Sequence, residues 1–167
     1  MLNNHAKLIR FFSEANGVTG RKKLQKMIYI LQKCDIPFEE KYQFHFYGPY
    51  SEELTLRVEE LCNLGFLQEE KEDKSNYYQY NYNITPAGTE FLNQFSMEMP
   101  DMATKVAMLK EKSSRFLELV STMFYFDDLP LRENIEKIHM VKPKQKYSDE
   151  EIQEAIRFME EMKQEGK

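Results

Sequence analysis

The spacing of apolar residues predicts a chain built mainly of amphipathic helices. Leu2 to Ala15 reads as a first helix, with Ala6, Ile9 and Phe12 at helical spacing and Leu8 and Phe11 widening the apolar face. Gly17 and Gly20 bracket a short turn. Arg21 to Lys33 then gives the clearest pattern: Leu24, Met27, Ile28 and Leu31 fall at i, i+3, i+4 and i+7, with lysines on the remaining faces. From Tyr42 to Tyr47, aromatic Tyr42, Phe44 and Phe46 alternate with Gln43, His45 and Tyr47, as in a short half-buried strand, and Gly48 and Pro49 are expected to turn the chain. Ser51 predicts the cap of a third helix to about Leu64, with Glu52 and Glu53 in its first turn and Gly65 as its stop. Leu54, Val58, Leu61 and Cys62 share its inner face.

Phe66 to Glu72 and Tyr77 to Ile84 are strand-like, and Asp73 to Asn76 between them suits a hairpin turn. Thr85 followed by Pro86 opens another helix, carrying Phe91, Leu92 and Phe95. Helices, hairpin and helix in this order are what a winged helix-turn-helix produces, with a hairpin sheet capping a three-helix core. Beyond Pro100, the residues Val106, Leu109, Ser113, Phe116, Leu117, Val120, Met123 and Phe124 trace one stripe, the mark of a long amphipathic helix. Asp127 to Lys146 reads as a connector with a short helical stretch around Leu131 to Ile138. Ser148 and Glu151 form a capping box for a last helix, whose stripe is Ile152, Ala155, Ile156, Met159 and Met162. The expected class is therefore mostly α with a small antiparallel β-hairpin. A winged-helix-like core over residues 1–99 precedes long amphipathic helices over residues 100–167, the two packed as one globular unit. The long helices suit a homodimer or the chain's own core equally well.

Composition narrows the function classes. A chain of 167 residues that is 41% hydrophobic and 31% charged can bury an ordinary core without staples. Cys34 and Cys62 form no C-x-x-C pair and no zinc-ligand spacing, so reduced thiols, a cytoplasmic location and no metal or other cofactor are expected. Polar residues interrupt the first twelve positions, which excludes a signal-peptide core or membrane span there. The net charge of −5 hides an uneven distribution: Met1 to Lys33 holds seven basic residues and only Glu14, whereas Cys34 to Met99 holds thirteen acidic and four basic residues.

Two blocks carry a family resemblance: Lys23-Leu24-Gln25-Lys26-Met27-Ile28-Tyr29, and Phe46-Tyr47-Gly48-Pro49-Tyr50-Ser51. Together they resemble the YwgA-like proteins of Gram-positive bacteria. More distantly, over about residues 1–95, they resemble the Panacea domain of SocA-like antitoxins and proteolysis adaptors. A Panacea domain usually has a Trp two residues before the Tyr-Gly-Pro element; His45 stands there in this chain, which has no Trp. The resemblance implies a helical, winged-helix-like domain that works by protein contact, with no established activity for the closer family.

Several residues stand out as candidates for partner or anion binding. Arg21, Lys22 and Lys23 crowd the first turn of a helix, where each cation is disfavoured by a few tenths to about 1 kcal/mol. They either hold an anion together with Lys26, or pair with Glu39, Glu40 or the acidic third helix. Tyr47, Gly48, Pro49 and Tyr50 form a second candidate surface, as an exposed aromatic turn or a buried one. Tyr77 at the hairpin tip is a contact candidate, while alternation places Tyr78, Tyr80 and Tyr82 on the core side. The third helix occupies the groove-reading place of a winged helix, yet carries Glu52, Glu53, Glu59 and Glu60 against Arg57, which disfavours DNA. His5, His45 and His139 are far apart, and no nucleophile elbow or P-loop occurs. The expected function is thus non-enzymatic, an adaptor-like or antitoxin-like regulatory module whose partner is another protein; the alternative is a DNA-binding transcriptional regulator.

Overall fold

A computed structural model describes residues 2–95 and 98–164. Helices α1 (Leu2–Ala15) and α2 (Arg21–Lys33) form where the apolar spacing puts them. Each turns its stripe inward: Leu8, Ile9, Phe11 and Phe12 from α1 and Leu24, Met27, Ile28 and Leu31 from α2 belong to one buried core. Between the helices lies β1 (Val18–Thr19), a strand too short for any periodicity to reveal. A hairpin of β2 (Gln43–His45) and β3 (Gly48–Tyr50) follows α2. Then come α3 (Glu52–Asn63), β4 (Leu67–Asp73), β5 (Tyr78–Ile84) and α4 (Pro86–Gln94). The three-stranded antiparallel sheet has the order β1-β5-β4, with Leu67 opposite Ile84, Asp73 opposite Tyr78, and Val18 opposite Tyr82.

The helix starts follow capping chemistry. Ser51 Oγ accepts from the Leu54 amide at 3.0 Å, and Thr85 Oγ1 accepts from the Gly88 amide at 3.0 Å, each satisfying an orphan donor of the first turn. At the last helix, α8 (Asp149–Gln164), the Glu151 amide donates to Ser148 Oγ at 3.1 Å and the Ser148 amide to Glu151 Oε1 at 3.0 Å, a reciprocal capping box.

Three expectations need correction. The single long helix after Pro100 is two, α5 (Ala103–Lys110) and α6 (Ser114–Tyr125). Ser113 breaks it: its backbone is extended, and its Oγ accepts from the Phe116 amide at 3.1 Å, an N-cap bond that competes with helix continuation. The apolar stripe runs across the break, since Val106, Leu109, Leu117, Val120, Met123 and Phe124 are all buried, so spacing alone cannot reveal it. The turn of the first hairpin falls at Phe46 and Tyr47, with His45 opposite Gly48, so Gly48 and Pro49 are strand residues and Phe46 is 81% exposed instead of inward. Gly48 adopts φ +93°, and a Cβ there would lie 3.2 Å from Thr122 Oγ1, so glycine is required for the hairpin to approach α6. The tyrosine face of β5 is only partly internal: Tyr82 is buried and Tyr80 half-buried, but Tyr78 is exposed because the hairpin extends past the core.

The connector contains α7 (Leu131–Val141) and a 3-10 turn (Pro143–Gln145). Helix α6 lies between α2 and α8, with every residue from Leu117 to Phe124 buried. Ile152, Ala155, Phe158 and Met162 bury the stripe of α8, and Phe158 meets Phe116 edge-on at 5.4 Å between centroids. Polar ties join the early and late segments: Lys23 Nζ donates to the Lys110 carbonyl and Lys110 Nζ to the Ala15 carbonyl, each at 2.6 Å. Among the described residues, no helix is long and apolar enough to cross a membrane.

Candidate functional site

The two sequence blocks singled out above form one spatial unit. Gln25, buried on α2, accepts from the Ser51 amide through Oε1 at 2.9 Å and donates through Nε2 to the Ser51 carbonyl at 2.9 Å and to Thr55 Oγ1 at 3.1 Å. One side-chain amide thus satisfies both backbone groups of the residue that caps α3, which fixes the start of α3 against α2. The next residue, Lys26, donates from Nζ to the Pro49 carbonyl at 2.7 Å. From the far end of the chain, Lys142 Nζ donates to the Phe46 carbonyl at 2.5 Å. Two lysines therefore hold the backbone on both flanks of the Phe46–Tyr47 tip.

Lys26 departs from expectation. Helical spacing puts it on a solvated face, but the hairpin folds over that face and leaves the side chain 1% exposed. Burial pushes its ammonium down to about 8; Glu118 opposes the shift, and the positive charges of Lys142 and Lys22 add to it. Glu118 sits in the middle of α6 and is itself buried. Its Oε2 accepts from Gln145 Nε2 at 3.2 Å and from the Tyr147 hydroxyl at 3.4 Å, and lies 3.9 Å from Lys142 Nζ; its Oε1 lies 3.6 Å from Lys22 Nζ.

The cations at the start of α2 find partners other than Glu39, Glu40 or α3. Arg21 donates from Nε to the Tyr82 hydroxyl at 3.2 Å, approaches Glu69 at 3.5 Å, and lays its guanidinium 3.6 Å from the centre of the Tyr80 ring. Lys22 faces Glu118 and the Tyr47 ring, 4.1 Å from its centre. Lys23 reaches the Lys110 carbonyl, and Glu39 pairs instead with Lys7 at 3.6 Å. Tyr77 stands apart from this unit, exposed near the tip of the β4–β5 hairpin, where the Lys74 amide donates to its carbonyl.

A groove of about 310 Å³ opens between α2 and α3. Leu24, Leu54, Val58 and Tyr82 give it a buried apolar floor. Arg21, Lys22 and Lys26 come from the α2 side, Thr55 and Glu59 from α3, Tyr47 and Tyr50 from the first hairpin, and Glu69 from β4. The Tyr50 hydroxyl and Thr55 Oγ1 share a hydrogen bond of 2.9 Å across one end. The structure thus brings together Arg21, Lys22, Lys26, Tyr47 and Tyr50, with Gly48 and Pro49 behind them, and leaves out Lys23 and Tyr77.

Spacing arguments do not single out Glu118 or Lys142. A signal for Glu118 exists: it is the one acid in a helix segment that is otherwise apolar or small on every side from Phe116 to Phe124. Lys142 carries none, because the connector around it has no periodicity. Burial pushes the thiols of Cys34 and Cys62 up, away from the thiolate form. Among the described residues, no group of three or more His, Cys, Asp or Glu is placed to hold a metal ion.

No family model matches the sequence. Over 164 residues, 98% of this chain and 99% of its relative, the chain is 57% identical to the uncharacterized protein YwgA of Bacillus subtilis (strain 168). The shared length takes in both the helix and hairpin blocks and the late helices that brace them, and on that likeness the chain belongs to the YwgA-like family.

Proposed function

We propose that this chain is a non-enzymatic protein-interaction module of regulatory or adaptor type, antitoxin-like in its mode of action, built on a winged-helix-like core. The order α1, β1, α2, α3, β4, β5, with β5 central in the sheet, supports the winged-helix reading. The β2–β3 hairpin is then an insertion between the two helices of the helix-turn-helix. The observation that carries the functional reading is the α2–α3 groove. It has an apolar floor and cations along the α2 side, the mixture that a protein surface with an acid beside an apolar residue would complement.

The face of α3 favours protein over DNA. Its exposed positions are Glu52, Thr55, Leu56, Glu59 and Asn63, and its one cation, Arg57, is half-buried and donates to Glu60 at 3.1 Å. A helix that read base edges would present cations and amides to a polyanion. Phe46, Tyr47, Tyr77 and Tyr78 add exposed aromatic area suited to a protein interface.

Anisotropy of a labelled random duplex, followed from about 50 mM salt upward, tests the reading together with affinity capture by the wild type and the Arg21→Gln/Lys22→Gln variant. The expected result is no duplex binding at low salt and a stoichiometric protein partner that the variant loses. Duplex binding that weakens steeply with salt would replace this reading with that of a transcriptional regulator.

A further inference from the structure

Behind the Phe46–Tyr47 tip, three lysines converge on one carboxylate. Lys22 and Lys142 each lie within 4 Å of a Glu118 oxygen, and the Lys26 ammonium feels the charges of all three. Gln145 and Tyr147 already donate to Oε2, while Oε1 has no hydrogen-bond donor. Lys26 and Lys142 are both buried, so their charges are weakly screened, and one carboxylate does not neutralise three ammoniums. Of the three lysines, Lys22 is the one whose side chain is exposed, and it lines the groove beside Arg21. Of the two acids lining the groove, Glu69 is engaged by Arg21 and by the Tyr82 hydroxyl, which donates to it at 2.6 Å, while Glu59 is exposed on the α3 side, so the cationic face is the α2 side alone.

We propose that the α2–α3 groove recognises an acidic residue adjacent to a bulky apolar residue in a partner protein. The partner carboxylate pairs with Lys22 and Arg21, and the apolar side chain fills the space over Leu54, Val58 and Tyr50. The inference rests on the protein-contact reading above and names what that contact selects. Charge complementarity decides the occupant: the α2 side supplies cations beside an apolar floor, so an acid next to an apolar anchor matches that side and the floor at once. A space of about 310 Å³ accommodates one such anchor, as small binding pockets do.

The test is an amide-shift titration of the whole protein by NMR with three blocked heptapeptides: leucine between aspartate and glutamate, leucine between two lysines, and serine between aspartate and glutamate. The first is expected to shift amides of residues 21–26 and 54–59 saturably, with the other two at least about tenfold weaker. Arg21→Gln/Lys22→Gln should weaken the first peptide about tenfold. Thr55→Trp, which places an indole in the groove from an exposed helical position, should abolish its binding. Equal affinity for the lysine or serine peptide, or unchanged binding by both variants, overturns the proposal. So does hydrocinnamate, a free apolar acid, shifting these amides when the acidic leucine peptide does not. The duplex titration on the same sample separates the two levels: peptide failure without DNA binding removes the groove assignment alone, whereas salt-sensitive DNA binding removes the protein-contact reading beneath it.

Discussion

Replacing Lys26 with methionine should flatten the dependence of stability on pH on the alkaline side of neutrality. In the folded protein burial holds the Lys26 ammonium at about 8, against 10.5 for the free side chain. A lysine with a depressed folded value loses its proton first in the native state. Between these two values the unfolded chain binds more protons, so stability rises with pH. For one group shifted this far, the rise amounts to about 2 kcal/mol between about pH 7.5 and about pH 9.5. Lys23 and Lys142 are also pushed down by burial and act in the same sense in both proteins. Tyr29, Tyr42, Tyr82 and Tyr147 are pushed up and act in the opposite sense, but only at higher pH. Lys26→Met also deprives the Pro49 carbonyl of its donor, at about 1–3 kcal/mol, a loss that does not vary with pH. Urea unfolding at a series of pH values reads both effects: the offset at neutral pH and the missing slope above it. Parallel curves for the two proteins, within about 0.5 kcal/mol, would refute the claim that a charged lysine is confined behind the hairpin.

Gln25→Leu leaves the Ser51 amide buried without its acceptor, while the Ser51 carbonyl keeps the Thr55 amide, and should cost about 1–3 kcal/mol in urea unfolding; a cost below about 0.5 kcal/mol would show that this clamp does not hold α3. Gly88→Ala places a Cβ 2.3 Å from the Phe66 carbonyl oxygen, which cannot yield because it also accepts from the Thr85 amide; the expected loss is above about 2 kcal/mol, seen as a melting temperature lowered by several degrees. Arg115 holds the Glu151 carboxyl at about 2, with the capping bonds to Ser148 helping, so this contribution is fully present above the ordinary carboxylate range and fades as pH falls toward 2. The pair is at the surface, so Glu151→Gln should remove no more than about 1 kcal/mol at neutral pH and less in acid; an unchanged or rising difference in acid would contradict the assignment.

Helix positions were legible in the sequence where a capping side chain or an apolar stripe marks them. Ser51, Thr85 and Ser148 all cap as expected, and the inward residues of α1 and α2 are those the spacing selects. The β4–β5 hairpin was legible from the alternation along β5 and the polar turn that precedes it. What stayed hidden was of three kinds. Ser113 caps a new helix inside an unbroken stripe, and a stripe reports which face is buried, not whether the backbone is continuous. Phe46 was expected inward by alternation, but a two-residue turn ended the strand there and carried it outward. Lys26 was expected in solvent because it lies off the stripe of Leu24, Met27, Ile28 and Leu31. Only the arrival of β3 and α6, from distant parts of the chain, buries it. The candidate site was legible in its members, through the two blocks, but not in its electrostatics, since Glu118 and Lys142 come from segments with no signal tying them to α2.

The burial of α6 between α2 and α8 has a consequence for biosynthesis. The inner face of α2 finds part of its complement only in residues 114–125, about ninety positions downstream, so a growing chain that has exposed α2 still lacks that cover. Native-like packing of the amino-terminal half must wait until α6 has left the ribosome. Until then the part of α2 that packs on α6 lacks its cover, and such uncovered apolar faces of slowly completed folds are open to chaperones or to the wrong partner.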